Sequence, residues 1–463
     1  MRIHHLILFM HVVIILPMNA MASDPFSTED LIAHWRPEQS IKLDQAADVS
    51  HCAKEKILSP LTLAEVVDLA LCNNPQTRSL WASARGQAAQ VGVSTAAYLP
   101  TLSALGSVSN NQSQAGSQAQ VNSLSQTASL SVNYLLYDFG GRSAALDNAK
   151  QLLIAANATR DATLQSNFLS AVQAYYALLS ARASVQSYQV DELKAQESLA
   201  AAQARYQAGV ATPVDRLQAQ TTLSQAQLNR IRGEGDASNA QGTLANIMGF
   251  DASQPYTLQA VAEEIPDPAI ERDIGKLIAE ARQKRPDLAA AESQIKAAEA
   301  QLQATKATGR PTITVGAMAG VTNPDIQNSS LGITLSVPLF SGFKTTYQVR
   351  AAEAQVEGRV ADRDRLANQI ALDVWKAYQG LLTNSQALRS ADDLVVAATQ
   401  SEKMILGRYK AGVGNILDTL SAQSALATAH QQRVSALYNF LISRFALAQA
   451  IGQLDLTQID SRN

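Results

Sequence analysis

A chain of 463 residues holds 46% hydrophobic, 5% aromatic and only 17% charged residues, against about 25% charged in an ordinary globular protein. Ala, Gln, Ser, Asn and Thr fill the deficit, a composition suited to long helices packed closely through small side chains. The net charge of −3 lacks the basic footprint that nucleic-acid binding needs, and it is too mild to name a substrate.

Arg2, the apolar run from Leu6 to Leu16, the break at Pro17 and the small-x-small pattern Ala20-Met21-Ala22 read as a secretory signal over residues 1–22. The run falls short of the roughly 20 apolar residues that a spanning helix needs, so the mature chain is expected to be exported without a transmembrane helix. Residues 23–60 then form an N-terminal periplasmic segment. Cys52 and Cys72 are the two cysteines. In an oxidising periplasm a disulfide between them is expected, and closing that loop contributes about 3 kcal/mol. His51 beside Cys52 raises a metal reading, but two or three ligands without a second cluster make a poor site.

From residue 61 the chain repeats itself. Arg205-Tyr206-Gln207-Ala208-Gly209-Val210 returns as Arg408-Tyr409-Lys410-Ala411-Gly412-Val413. Asp215, Leu217, Ala219 and Gln220 return as Asp418, Leu420, Ala422 and Gln423, while Asn74-Pro75 and Leu99-Pro100 match Arg285-Pro286 and Arg310-Pro311. The expected copies are 61–250 and 272–455, with a Pro- and acid-containing linker over 251–271 and a tail over 456–463.

In the first copy, alternation predicts strands over about 99–109 and 127–137, separated by a polar loop from Asn110 to Gln126. Long helices follow over about 141–206 and 213–248. In the second copy the strands fall over about 311–321 and 330–340 and the helices over about 343–409 and 416–451. Val374, Leu381, Leu388 and Val395 keep a seven-residue spacing, which implies left-handed coiled-coil packing. A helix of about 65 residues would run close to 100 Å, too long for a compact globule. The strands set apolar residues such as Leu130, Val132, Leu331 and Ile333 against Ser129, Ser131, Gly332 and Thr334, as barrel strands facing lipid on one side do. A half-exposed soluble sheet gives the same alternation, and a solid coiled coil gives the same helical period. Tyr98, Tyr137, Phe139, Phe340 and Phe343 at the helix-side ends resemble an interfacial aromatic girdle. Four strands cannot close a channel, and open edges are not tolerated in lipid, so a membrane reading demands more than one copy.

The order Leu61-Thr62-Leu63-Ala64-Glu65 to Asn74-Pro75, Tyr98-Leu99-Pro100, the duplicated Arg-Tyr-x-Ala-Gly-Val segments and Val337-Pro338-Leu339-Phe340-Ser341-Gly342 resembles the TolC-like outer-membrane efflux protein family over nearly all of 61–454. The resemblance implies an α+β membrane protein. It would be a homotrimer with a 12-stranded outer-membrane β-barrel continued by a long periplasmic α-helical barrel, with two internal repeats per chain and a mixed equatorial belt. It also implies a periplasmic adaptor (membrane fusion) protein and an inner-membrane pump of RND, ABC or MFS type as partners, outer-membrane lipid around the barrel, and a passive exit channel for efflux or type I secretion. A soluble periplasmic coiled-coil adaptor or scaffold is the alternative. It would carry a single helical hairpin in a β-rich module rather than two.

The candidate site is the pair of helix–helix turns. Thr212 with Asp215, and Asn415 with Asp418, read as helix N-caps with an acid three residues on. Arg205 and Arg408 suit helix C-termini, and Gly209 and Gly412 suit left-handed caps. With Tyr206 and Tyr409, these residues form a candidate periplasmic gate or adaptor-contact tip, at which symmetry would gather the acids into a ring favouring cations. The family's closed form places an Arg and a further Asp where this chain has Gly414 and Ser421, so the gate would be held differently here. No metal spacing, P-loop or nucleophile elbow appears, so neither a cofactor nor an enzymatic activity is expected.

Overall fold

Thr62 starts the first helix by accepting the Glu65 N–H, while the Glu65 carboxylate accepts the Thr62 N–H. The exchange satisfies two donors that have no partner inside the helix. The computed structural model describes residues 60–113, 121–259, 273–323 and 326–454. The expected leader, nearly all of segment 23–60 with Cys52, most of the linker and the tail 456–463 lie outside the described residues.

In chain order the elements are α1 (Leu63–Asn73), α2 (Pro75–Ala96), β1 (Thr101–Ser113), β2 (Val121–Tyr137), α3 (Gly141–Gln207) and α4 (Pro213–Ile247). Then follow α5 (Ile274–Lys284), α6 (Pro286–Ala307), β3 (Thr312–Thr322), β4 (Ile326–Ser336), α7 (Lys344–Lys410) and α8 (Ile416–Ala450). Helices of 11, 22, 67 and 35 residues occur in that order in each half. Among the described residues no helix is long and apolar enough to cross a membrane.

The chain divides into two units, the first comprising Ala82–Ala158 and Ala289–Arg363 among described residues. Its centre is an antiparallel sheet of order β1-β2-β3-β4. The register aligns Leu102 with Val132, Val132 with Ala317 and Ala317 with Leu331, so one face is apolar across all the strands. That face is bare: Leu331 is 80% and Ile333 73% exposed. Pro100 and Pro311 precede β1 and β3, where the missing N–H ends a helix and tolerates a strand start. After β2 the Asp138 carboxylate accepts the Arg142 N–H at 2.6 Å, and Arg142 Nη2 donates to the Leu136 carbonyl at 3.2 Å, which pins the strand-to-helix joint. A small core of Ala88, Val91, Ala149 and Leu153 seats α2 on α3.

The sheet departs from expectation at two places. The first hairpin continues through the polar stretch, with Asn110 opposite Leu124 and Gln112 opposite Asn122. A ladder needs only backbone N–H and C=O groups, which Ser, Asn and Gln supply as well as Val does; the apolar alternation ends sooner because its physical cause does. β4 is placed about four residues early, pairing Ser336 with Thr312 at its end. It stops short of Pro338, which cannot donate to a ladder.

The second unit takes the described parts of Glu38–Trp81 and Asp364–Asn463 together with Thr159–Leu288. One core joins Val66, Val67 and Leu71 of α1 to Phe168, Val172, Tyr175 and Leu178 of α3 and to Leu244 of α4. A second joins Leu277 and Ala281 of α5 to Ile370, Val374, Leu381 and Leu388 of α7 and Phe440 of α8. Each large apolar side chain so buried contributes roughly 1.5–3 kcal/mol. The helix ends are docked as well as capped. At the end of α4, Phe250 N–H reaches back to the Ala245 carbonyl, with Gly249 at φ 79° pressed against Asn73 of the α1–α2 turn. Gly452 ends α8 in the same manner against Lys284 and Arg285. Arg285 in turn grips Asp287 at 2.6 Å and Asp373 of α7 at 3.3 Å.

Candidate functional site

The α3–α4 and α7–α8 turns lie within the second unit and begin alike. Val210 N–H bonds the Arg205 carbonyl at 3.0 Å and Val413 N–H the Arg408 carbonyl at 3.1 Å, each loop reversing at a left-handed glycine, Gly209 (φ 74°) and Gly412 (φ 79°). Beyond the glycines they diverge. Thr212 and Asp215 form a reciprocal capping box, with the Thr212 N–H donating to Asp215 Oδ2 at 2.8 Å, and Pro213 opens α4. In the second turn Asn415 Oδ1 accepts the Leu417 N–H at 2.6 Å, and Asp418 stands exposed in the first turn of α8. No side-chain hydrogen bond or ion pair from a described residue reaches its carboxylate.

The two turns meet through Arg205 and Tyr409. Arg205 Nη1 donates to the Tyr409 carbonyl at 2.9 Å, and its guanidinium carbon lies 4.6 Å from the Tyr409 ring centre. Tyr409 is buried with Ala202, Ala219, Ile416 and Leu420. Tyr206 is half-exposed and is covered instead by Arg216, at 5.4 Å. Arg408 is exposed and does not share the role of Arg205. Gly414 has a steric reason: a Cβ there would lie 2.7 Å from the Tyr409 nitrogen. An arginine cannot occupy that position on this backbone.

Beside the turns, the first residues of α4 and α8 frame a groove of about 470 Å³ lined by Val214, Leu217, Thr221, Leu417, Leu420 and Ser421. Val214, Leu217 and Leu417 are each more than half exposed. Neither the groove nor the Arg205–Tyr409 contact emerges from the sequence reading. The apolar pairs at i and i+3, Val214 with Leu217 and Leu417 with Leu420, were the available signal.

Farther along the α3–α8 seam, burial shifts several titrating groups. The Tyr176 hydroxyl is pushed up to about 12 by burial, with Arg444 opposing. Burial raises the Asp191 carboxyl to about 6 against the pull of Lys194. His430, the one histidine among the described residues, is lowered by burial and by Lys194 and Arg433. No group of three metal-ligating side chains occurs among the described residues. Cys72 of α1 is disulfide-bonded, and Cys52 lies outside the described residues.

Comparison with known proteins adds the biological frame. The profile of the outer membrane efflux protein family matches residues 66–250 and 277–453. The chain is 31% identical over 417 residues to protein CyaE of Bordetella pertussis, covering 87% of this chain and 86% of CyaE. It is 25% identical over 406 residues to the outer membrane protein TolC of Vibrio cholerae, covering 85% and 91%. The solved structure of the outer membrane protein VceC from Vibrio cholerae superposes with a TM-score of 0.73 at 20% identity, covering 84% of this chain and 96% of VceC.

Proposed function

The chain belongs to the outer membrane efflux protein family, and from that premise we propose that three copies assemble into the outer-membrane exit channel of a tripartite efflux or type I secretion system. The observation that carries the reading is the bare sheet. One chain supplies four strands with free edges at β1 and β4 and an exposed apolar face. A single such sheet cannot stand in lipid, whereas three of them supply a 12-stranded barrel within the range of known barrels. The long helices α3, α4, α7 and α8 would form the periplasmic tunnel, each chain contributing copies over 61–250 and 272–455. A soluble adaptor has no use for a lipid-facing sheet, and the family match disfavours that reading.

A periplasmic adaptor and an inner-membrane pump of RND, ABC or MFS type complete the machine. The turns at 205–215 and 408–418 are its periplasmic tip, where Arg205 on Tyr409 holds the chain's two hairpins together. The groove between Val214 and Leu417 gives an adaptor an apolar seat. A Cys52–Cys72 bond ties the N-terminal segment to α1. Outer-membrane fractions should yield a heat-modifiable oligomer that needs detergent for extraction. A monodisperse monomer recovered from the soluble periplasm would overturn the channel.

A further inference from the structure

Along the whole of β1, β2, β3 and β4 there is no Asp, Glu, Lys or Arg. The register divides these strands into two faces. Opposite the apolar face, Ser103, Ser131, Met318 and Ser330 form one row and Thr101, Asn133, Gly316 and Gly332 the next. Leu135, Thr314 and Thr334 continue it. Hydroxyls bond across strands here, with Ser103 and Ser131 Oγ atoms 2.8 Å apart and Thr101 Oγ1 donating to the Asn133 carbonyl at 3.3 Å. Leu105, Leu135, Met318 and Ile326 interrupt this face without charging it. In a membrane barrel the apolar face meets lipid and the polar face meets the lumen.

We propose that the barrel part of this channel is an electrically neutral conduit, lined by hydroxyls and amides, that exerts no selection by charge. Pores discriminate ionic cargo through rings of charged side chains. Hydroxyls and amides exchange hydrogen bonds with water over a few ångströms and project no comparable field. Hydrophilic cargo of either sign, an extended acidic or basic polypeptide included, then crosses the barrel on equal terms. Any preference for one sign of ion arises elsewhere in the channel. The inference rests on the channel reading above and adds the cargo property that this part of the channel imposes.

Gly332 makes it testable, because a Cβ at this position meets nothing within 4 Å, whereas one at Gly320 would lie 2.7 Å from the Ala128 carbonyl oxygen. Full-length Gly332→Lys and Gly332→Glu would be reconstituted in planar bilayers, and the reversal potential measured across a potassium chloride gradient. A neutral lumen predicts shifts of similar size and opposite sign, each changing the cation-to-anion permeability ratio by about threefold for three screened charges around a wet pore. A shift with one sign of charge only would mean that a field already exists there, and would overturn the inference while leaving the channel intact. Conducting channels that ignore both substitutions would remove the polar face from the lumen and also overturn it. Absence of conductance from the wild-type protein would defeat the channel reading itself.

Discussion

Alanine at Gly249 should weaken the second unit far more than alanine at Gly209, although the two glycines share a left-handed backbone, φ 79° and 74°. An L-residue in that conformation costs about 1–2 kcal/mol at either place. The surroundings then separate them. At Gly209 a Cβ meets nothing within 4 Å, so the backbone penalty is the whole effect. At Gly249 the same carbon would sit 2.7 Å from the Asn73 carbonyl oxygen, 2.8 Å from its carbon and 2.9 Å from its Cβ. Backbone cannot rotate aside as a side chain can, so α4 must lift off the α1–α2 turn and loosen the packing of Leu244 and Met248 in the core. Overpacking of this kind costs about 1–3 kcal/mol beyond the backbone term, which puts Gly249→Ala at about 2–5 kcal/mol against about 1–2 for Gly209→Ala. Gly452→Ala, with its nearest backbone atoms at 3.0–3.1 Å, should fall between. Thermal loss of helical circular dichroism in detergent reports the ranking. Equal melting shifts for Gly249→Ala and Gly209→Ala would refute the claim that docking, rather than φ alone, sets the cost.

Arg205→Ala removes a charged hydrogen bond and a cation–π contact from Tyr409, together about 2–4 kcal/mol, and should raise single-channel conductance, whereas Tyr409→Phe keeps the ring and the carbonyl and should change little; equal conductance in Arg205→Ala and wild type would strip Arg205 of a gating role. Asp191 binds its proton more tightly folded than unfolded, so its contribution to stability is present below about pH 4 and is lost as pH rises to about 6. Asp191→Asn should therefore raise stability at pH 7.5 by about 1 kcal/mol, after a discount for solvent screening at this half-exposed site, and leave it unchanged at pH 4. The same gain at both pH values would show that the effect is not electrostatic.

The long helices were legible because their signals are local. An absence of proline over many turns and the seven-residue line of Val374, Leu381 and Leu388 need no tertiary knowledge, and those residues lie buried in one core. The strand limits were less so, since Asn110 to Ser113 pair through their backbone while their side chains carry no strand signal. At the α3–α4 and α7–α8 turns, the residue types were legible and the contacts were not. Arg205 and Arg408 occupy equivalent places in the sequence, yet only Arg205 reaches the other turn, because which helix lies across each turn is decided by long-range packing. Gly414 looked like a lost functional residue. Its reason is the Tyr409 nitrogen behind it, visible only in three dimensions.

The same divergence bears on the two acids. Asp215 spends its carboxylate on the Thr212 N–H at the start of α4, where the N-terminal dipole also balances its charge. Asp418 sits in the matching turn, but Asn415 performs the capping there, through the Leu417 N–H. Its carboxylate stays exposed to solvent at the mouth of the turn. With capping assigned to Asn415, the local role left to the acid at 418 is the favourable field of the α8 N-terminus, which asks for its charge and not for a hydrogen bond. Asp215 is a stabilising cap that happens to be acidic. Both acids keep their charge, and they differ in that the Asp215 carboxylate is held by a capping bond while that of Asp418 is not.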